Sequence, residues 1–151
     1  MNHLTEKHPW TLWLGTMNDW THAVTVTFVT CRQGQVLTAS IIEDAVKHCL
    51  RRIDVACYRG RGRRSKANVG SMVVASSPSV GTHPHAHLAL SAPSDQSYGE
   101  FSGVIETAIR KTNWFNRQYA IKPYRSDGWI SYCIDHGQDG ALLECFRRHR
   151  D

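Results

Sequence analysis

From Trp20 to Thr30 (WTHAVTVTFVT) hydrophobic and polar residues alternate and β-branched residues dominate, which predicts a strand. Ile41, Ile42, Ala45, Val46, Cys49, Leu50 and Ile53 then recur at helical spacing. Ser40 and Glu43 form an S-x-x-E capping box before them, so a helix is expected to run to about residue 54. Residues 69–76 (VGSMVVAS) read as a second strand. A turn rich in Ser, Pro and Gly at 77–82 leads into 83–91 (HPHAHLALS), a third strand with strict alternation. Pro84 has no N–H to give a ladder, so the start of that strand should lie at an edge or ahead of regular pairing. Phe101, Val104, Ile105, Ala108 and Ile109 make one stripe of a second helix over 97–112, opened by Ser97 and Glu100. Residues 117–124 (RQYAIKPY) alternate as a fourth strand. Asp127–Gly128 breaks the chain, Trp129 to His136 read as a short helix, and the tail from Ala141 reads as a weaker one.

The order β-α-β-β-α-β-α predicts an α+β fold, its first six elements matching the split β-α-β, ferredoxin-like arrangement. One antiparallel sheet of four strands would carry two helices on one face. Strands one and three would be central, putting the histidine-bearing strand in the middle, and the other face would be left for a site or for the final helix. The 151 residues, 41% of them hydrophobic, suit one domain over 1–151, with an N-terminal arm at 1–19 and a C-terminal tail at 138–151. No stretch approaches the roughly 20 apolar residues of a membrane span, so no membrane association is expected. The N-terminal residues MNHLTEKHPW hold no apolar core of a signal peptide. Five cysteines at irregular spacing with no CxxC pair argue against a disulfide framework and for a cytoplasmic setting.

Charge is concentrated. The net is +5, while residues 51–66 (RRIDVACYRGRGRRSK) alone hold six Arg and one Lys against one Asp, a local +6. Arg59, Arg61, Arg63, Arg64 and Lys66, spaced by glycine, are candidates for phosphate contact; a solvated surface loop is the plainer alternative.

His83, His85 and His87 stand at i, i+2 and i+4, which on a strand sends them to one face in steps of about 6.6 Å. Ala86, Leu88 and Leu90 take the opposite parity and would face the helices. Two neutral imidazoles so placed can converge on one cation; an exposed polar sheet face is the alternative. Tyr132 and His136 are i, i+4 on the predicted last helix, with Asp135 close to the same face. Packed over the open face, that helix would bring a phenol, an imidazole and a carboxylate to the histidine pair. Such a set suits phosphodiester cleavage, a metal polarising the phosphate while the tyrosine oxygen attacks phosphorus. A free tyrosine has a pKa near 10, so a nearby cation or base must help it ionise.

These residues resemble a known family. His85-Ala86-His87 within HPHAHLAL is similar to the His-hydrophobe-His core of the HUH endonucleases, which include rolling-circle replication initiators, conjugative relaxases and single-strand transposases. GWISYCIDH resembles the tyrosine motif of small phage and plasmid initiators, and WTHAVTVTFVT resembles their first motif. The likeness in order and spacing covers roughly residues 20–140. It implies a Mg²⁺ or Mn²⁺ ion held by His85 and His87, with Tyr132 as nucleophile, forming a 5′-phosphotyrosine and releasing a 3′-hydroxyl. It further implies nicking and rejoining of single-stranded DNA, often at a hairpin origin. No G-x-x-x-x-G-K-[ST] loop is present, so replication would need a host helicase.

The chain departs from the family pattern in three places. The strand before the histidines, VGSMVVASS, carries no acidic ligand, so the third ligand is expected to be His136, as in the transposase branch, then Asp135, with His83 a further candidate. Asp135 stands where the family's lysine follows the tyrosine, which would shift phosphate orientation to Lys122, Arg125 or the basic loop. A literal Tyr-x-x-Lys occurs at Tyr119 and Lys122, but in a predicted strand beside Pro123, so Tyr132 is preferred as nucleophile, a core aromatic being its plainer role. Trp114 and Trp129 could stack bases, although buried packing is expected of each. The rivals are a catalytically degenerate domain that binds hairpin or single-stranded DNA, and a single-strand transposase or relaxase of the same superfamily. A cupin, which also uses His-x-His on a strand, fits poorly with two capped helices.

Overall fold

The computed structural model describes residues 18–58, 67–75, 83–125, 129 and 145–150. Strand β1 (His22–Phe28) is followed by a short hairpin, β2 (Cys31–Arg32) and β3 (Gln35–Val36), then by helix α1 (Ala39–Tyr58). Strands β4 (Gly70–Ala75) and β5 (His85–Ser91), helix α2 (Tyr98–Lys111) and strand β6 (Phe115–Pro123) complete the order. The main sheet runs β4-β5-β1-β6 with every neighbouring pair antiparallel, and β2 and β3 form a two-stranded ribbon of their own. This is the ferredoxin-like α+β arrangement, with β1 and β5 central.

Alternation assigns the faces. Val24, Val26 and Phe28 of β1, and Ala86, Leu88 and Leu90 of β5, are buried in one cluster with Ile42, Val46 and Ile53 of α1 and Phe101, Ile105 and Ile109 of α2. The opposite parity of β5 points away from the helices, and there Ala89 joins Trp20 and Met72 in a smaller cluster edged by Tyr124, Trp129 and Phe146. Pro84 precedes β5 and gives only its carbonyl, which accepts from Phe28 N at 3.0 Å.

Helix α2 opens as the sequence predicts. Ser97 Oγ accepts from Glu100 N at 3.1 Å, and the Glu100 carboxylate accepts from Ser97 N at 2.8 Å. Helix α1 does not. It begins at Ala39, capped by Thr38, whose Oγ1 accepts from Ile41 N at 3.2 Å. Ser40 therefore lies inside the first turn, and Glu43 pairs along the surface with Lys47 at 2.7 Å. The helix also outruns residue 54, because Tyr58, 6% exposed, anchors one further turn in the core. The β2–β3 hairpin has no counterpart among the predicted elements. Its two turn residues, Gln33 (φ 50°) and Gly34 (φ 78°), both adopt the left-handed conformation that two-residue hairpins demand.

The tail differs most from expectation. Residues 141–144 lie outside the described residues. Beyond them the chain does not continue as helix: Arg147 and Arg150 form antiparallel bridges to Ser71 and Asn68 beside β4. Arg147 pairs with Asp54 of α1 at 2.5 Å and donates through Nε to Ser71 Oγ at 3.1 Å, while Ser71 Oγ donates to the Cys145 carbonyl at 2.7 Å. Asp54 also accepts from Val69 N at 3.0 Å. Pairing along an otherwise open strand meets more backbone hydrogen bonds than a short isolated helix would, and it blunts a sheet edge. Asn18 closes the clasp, donating to the Arg147 carbonyl at 3.1 Å and accepting from His149 N at 2.7 Å. Gly70 permits this approach: a Cβ there would sit 2.6 Å from Asn18 Cγ.

Candidate metal centre on the open sheet face

The pleat that buries Leu88 and Leu90 against the helices turns His85 and His87 the other way. Their rings lie 5.0 Å apart between centroids, inclined at 75°. His85 Nδ1 is 2.9 Å from the His83 carbonyl oxygen. A carbonyl only accepts, so Nδ1 carries the proton of this hydrogen bond, and of the two ring nitrogens Nε2 is the one that could ligate a metal. His87 is paired across the ladder with Thr25 of β1, whose Oγ1 lies 3.0 Å from His87 Nδ1. Each imidazole is thus oriented through Nδ1 by a neighbouring oxygen, the outer support that metal-ligating histidines usually have.

The pair could supply two ring nitrogens to a divalent cation as part of a shell. Two ring nitrogens leave the remaining positions of an octahedral ion to oxygen donors such as water or phosphate. Among the described residues no group of three or more His, Cys, Asp or Glu is assembled. His83, two residues ahead of β5, is exposed and meets His85 through its backbone. Tyr132, Asp135 and His136 lie outside the described residues, as do Arg59, Arg61, Arg63, Arg64 and Lys66.

Beside the histidines the face is concave. A cavity of about 610 Å³ has Ala23, Thr25 and Ala120 on its floor, Trp129 as a wall, and Lys122 and Arg125 at its rim. Trp129 stands edge-on to His87, centroids 5.9 Å apart, and also meets Tyr124 at 6.1 Å. Both cations named in the sequence reading as substitutes for the missing lysine, Lys122 and Arg125, are therefore gathered on the histidine face. Tyr119 is not. It takes the opposite parity of β6 and donates from its hydroxyl to Glu106 Oε1 at 2.6 Å, on the helix side of the sheet. Trp114 packs against the main core and Trp129 is half-buried in the smaller cluster.

Two features of the site escaped the sequence reading. Thr25 was legible in principle, because the parity that buries Val24 and Val26 sends Ala23, Thr25 and Thr27 to the histidine face. The seat of Trp129 against His87 leaves no periodic trace. Cys49 and Cys145 are buried, and burial pushes the Cys49 thiol up to about 12 and the Cys57 thiol up to about 11.

No protein-family model matches the chain, and no curated protein matches it in sequence. Among the described residues, no helix is long and apolar enough to cross a membrane.

Proposed function

We propose that this chain is an HUH-type endonuclease and strand transferase acting on single-stranded or hairpin DNA, with Mg²⁺ or Mn²⁺ as its ion and Tyr132 as its nucleophile. The observation that carries this reading is the histidine pair: two rings 5.0 Å apart on a central strand, one oriented by its Nδ1 donating to the His83 carbonyl, on a face that also carries Lys122 and Arg125. His85 and His87 would hold the ion, with His136 or Asp135 as a third ligand. When bound, the ion neutralises charge on the scissile phosphate.

The chain's own groups do the rest. Lys122 and Arg125 hold backbone phosphates, and the basic loop (Arg59, Arg61, Arg63, Arg64, Lys66) extends that contact. The Tyr132 oxygen, giving up its proton to solvent, attacks phosphorus as the P–O3′ bond breaks. The departing 3′-oxygen takes up a proton, leaving a free 3′-hydroxyl and a 5′-phosphotyrosine. Because one phosphodiester bond replaces another, attack by a 3′-hydroxyl reverses the step and joins strands. The role that fits such chemistry is initiation of rolling-circle replication in the cytoplasm, beside a host helicase; a single-strand transposase or relaxase would use the same steps.

The test incubates the full chain with Mn²⁺ and hairpin-bearing single-stranded oligonucleotides. The expected product is a protein–DNA adduct that survives denaturant, is abolished in Tyr132→Phe, and falls at least 100-fold in His85→Ala. An adduct undiminished in Tyr132→Phe, or none with a library of hairpins, would sink the proposal. A second reading, a hairpin-binding domain that does not cut, is favoured by β4 (GSMVVA), which brings no carboxylate to the histidines. It predicts metal-independent DNA binding that His85→Ala leaves unchanged.

A further inference from the structure

The side of the molecule remote from the histidines carries a different feature. Helices α1 and α2 pack on the sheet beside each other and leave between them an outer groove of about 750 Å³. One stripe of α1 (His48, Arg51, Arg52 and Val55 at i, i+3, i+4 and i+7) forms one wall. The other wall is α2 from Glu100 to Lys111, which gives the groove a length of about 16 Å, or three helical turns.

Its chemistry is two-sided. Val104 and Ala108 make an apolar floor, and Val55, 57% exposed, adds an unburied isopropyl group at the lip. Gly103 opens the middle, since a Cβ there would meet nothing within 4 Å. Around this floor stand Arg51, Arg52 and Lys111, none of which forms an ion pair among the described residues. The one acid, Glu100, is turned back to the Ser97 amide in the α2 cap. Arg52 Nε is buried and meets no acceptor among the described residues.

We propose that this groove is a docking surface for an acidic amphipathic helix of a partner protein. Charge complementarity selects the occupant: carboxylates answer Arg51, Arg52 and Lys111, and an apolar stripe answers Val55, Val104 and the space over Gly103. A nucleic-acid backbone would use the cations but bring nothing to the floor. The groove lies on the opposite side of the sheet from His85 and His87, so the proposal stands apart from the nuclease reading.

The test titrates ¹⁵N-labelled full-length protein with a synthetic helical peptide bearing Leu at i, i+3, i+4 and i+7 and Glu on the flanks. Saturable amide shifts confined to 48–56 and 100–111 are expected. Arg51→Glu with Lys111→Glu should weaken binding at least tenfold. So should Gly103→Leu, which fills the groove without touching the core and should leave thermal stability unchanged or raised. Equal binding of a Leu/Lys peptide or of a scrambled Leu/Glu peptide would overturn the proposal. So would the same shifts from a single-stranded oligonucleotide, concentration-dependent shifts marking self-association through the groove, or a Gly103→Leu protein that binds as before.

Discussion

The two faces of the central sheet are written by the same alternation yet built to opposite ends. On the helix face, Val24, Val26, Phe28, Leu88 and Leu90 meet two amphipathic helices, and nearly all of that surface is lost to solvent. On the other face the same strands present His85 and His87, and beside them Ala23, Thr25 and Ala120 line a cavity, with a small cluster of Trp20, Met72 and Ala89 at one end. The contrast teaches that a packed face and an open histidine face are separated by a single residue of register. A slip of one position would bury the imidazoles and expose the core. His22 marks the boundary: on β1, at the helix parity, it is fully buried, its ring stacked on Tyr98 at 4.3 Å, with Nε2–H donating to the Tyr98 carbonyl at 3.1 Å. It is a histidine used as core.

The largest effect should come from the helix face. Phe101→Ala, at a position with no exposed surface, is expected to cost about 3–5 kcal/mol in urea unfolding. Ala120→Ser, on the histidine face, should stay within about 0.5 kcal/mol of the parent, as exposed substitutions usually do. If both cost the same, the division of labour is wrong.

Next comes the clasp at the β4 edge. Arg147→Ala removes a half-buried partner from Asp54 and a donor from Ser71, and should cost about 1–3 kcal/mol by the same measurement. Asp54→Asn with Arg147→Ala should recover part of that loss, because no uncompensated charge is then left behind.

Thr25→Val sharpens the comparison from the other side. It should alter stability by less than about 1 kcal/mol and, on the proposed metal reading, weaken Mn²⁺ binding by about tenfold, read by calorimetry, because it frees the His87 ring from its support. A variant with parental Mn²⁺ affinity would show that Thr25 does not orient a ligand.

The smallest effect is a slope. Burial holds His22 below its ordinary value of 6.5, so the unfolded chain takes up a proton before the folded one does. Stability contributed by neutral His22 should be complete above about pH 6.5 and fall as pH drops from there toward the folded-state value. His22→Gln should flatten that part of a pH series of urea midpoints.

Much of this was legible because period and parity are local. WTHAVTVTFVT and HPHAHLALS carry their faces in plain alternation, and Ser97 with Glu100 forms the cap that the spacing describes. The departures share a cause: distant contacts overrode local signals. Ser40 has the right spacing for a cap, but Thr38 is the residue at which the chain leaves the β2–β3 hairpin. The tail has helix-forming residues, yet Ser71, Asn68 and Asp54, more than seventy positions away in sequence, supply partners that its own sequence cannot announce. Likewise Tyr119 has the literal spacing Tyr-x-x-Lys, but strand parity sends it to Glu106, away from the histidines.

The link between Asn18 and His149 has one further consequence. The opening and closing segments of the described fold hold one another and the same outer strand, so neither can peel away without loosening the other. Amides of Ser71, Arg147 and Arg150 should therefore exchange their hydrogens together, as one unit that unzips before the strands bearing the imidazoles do.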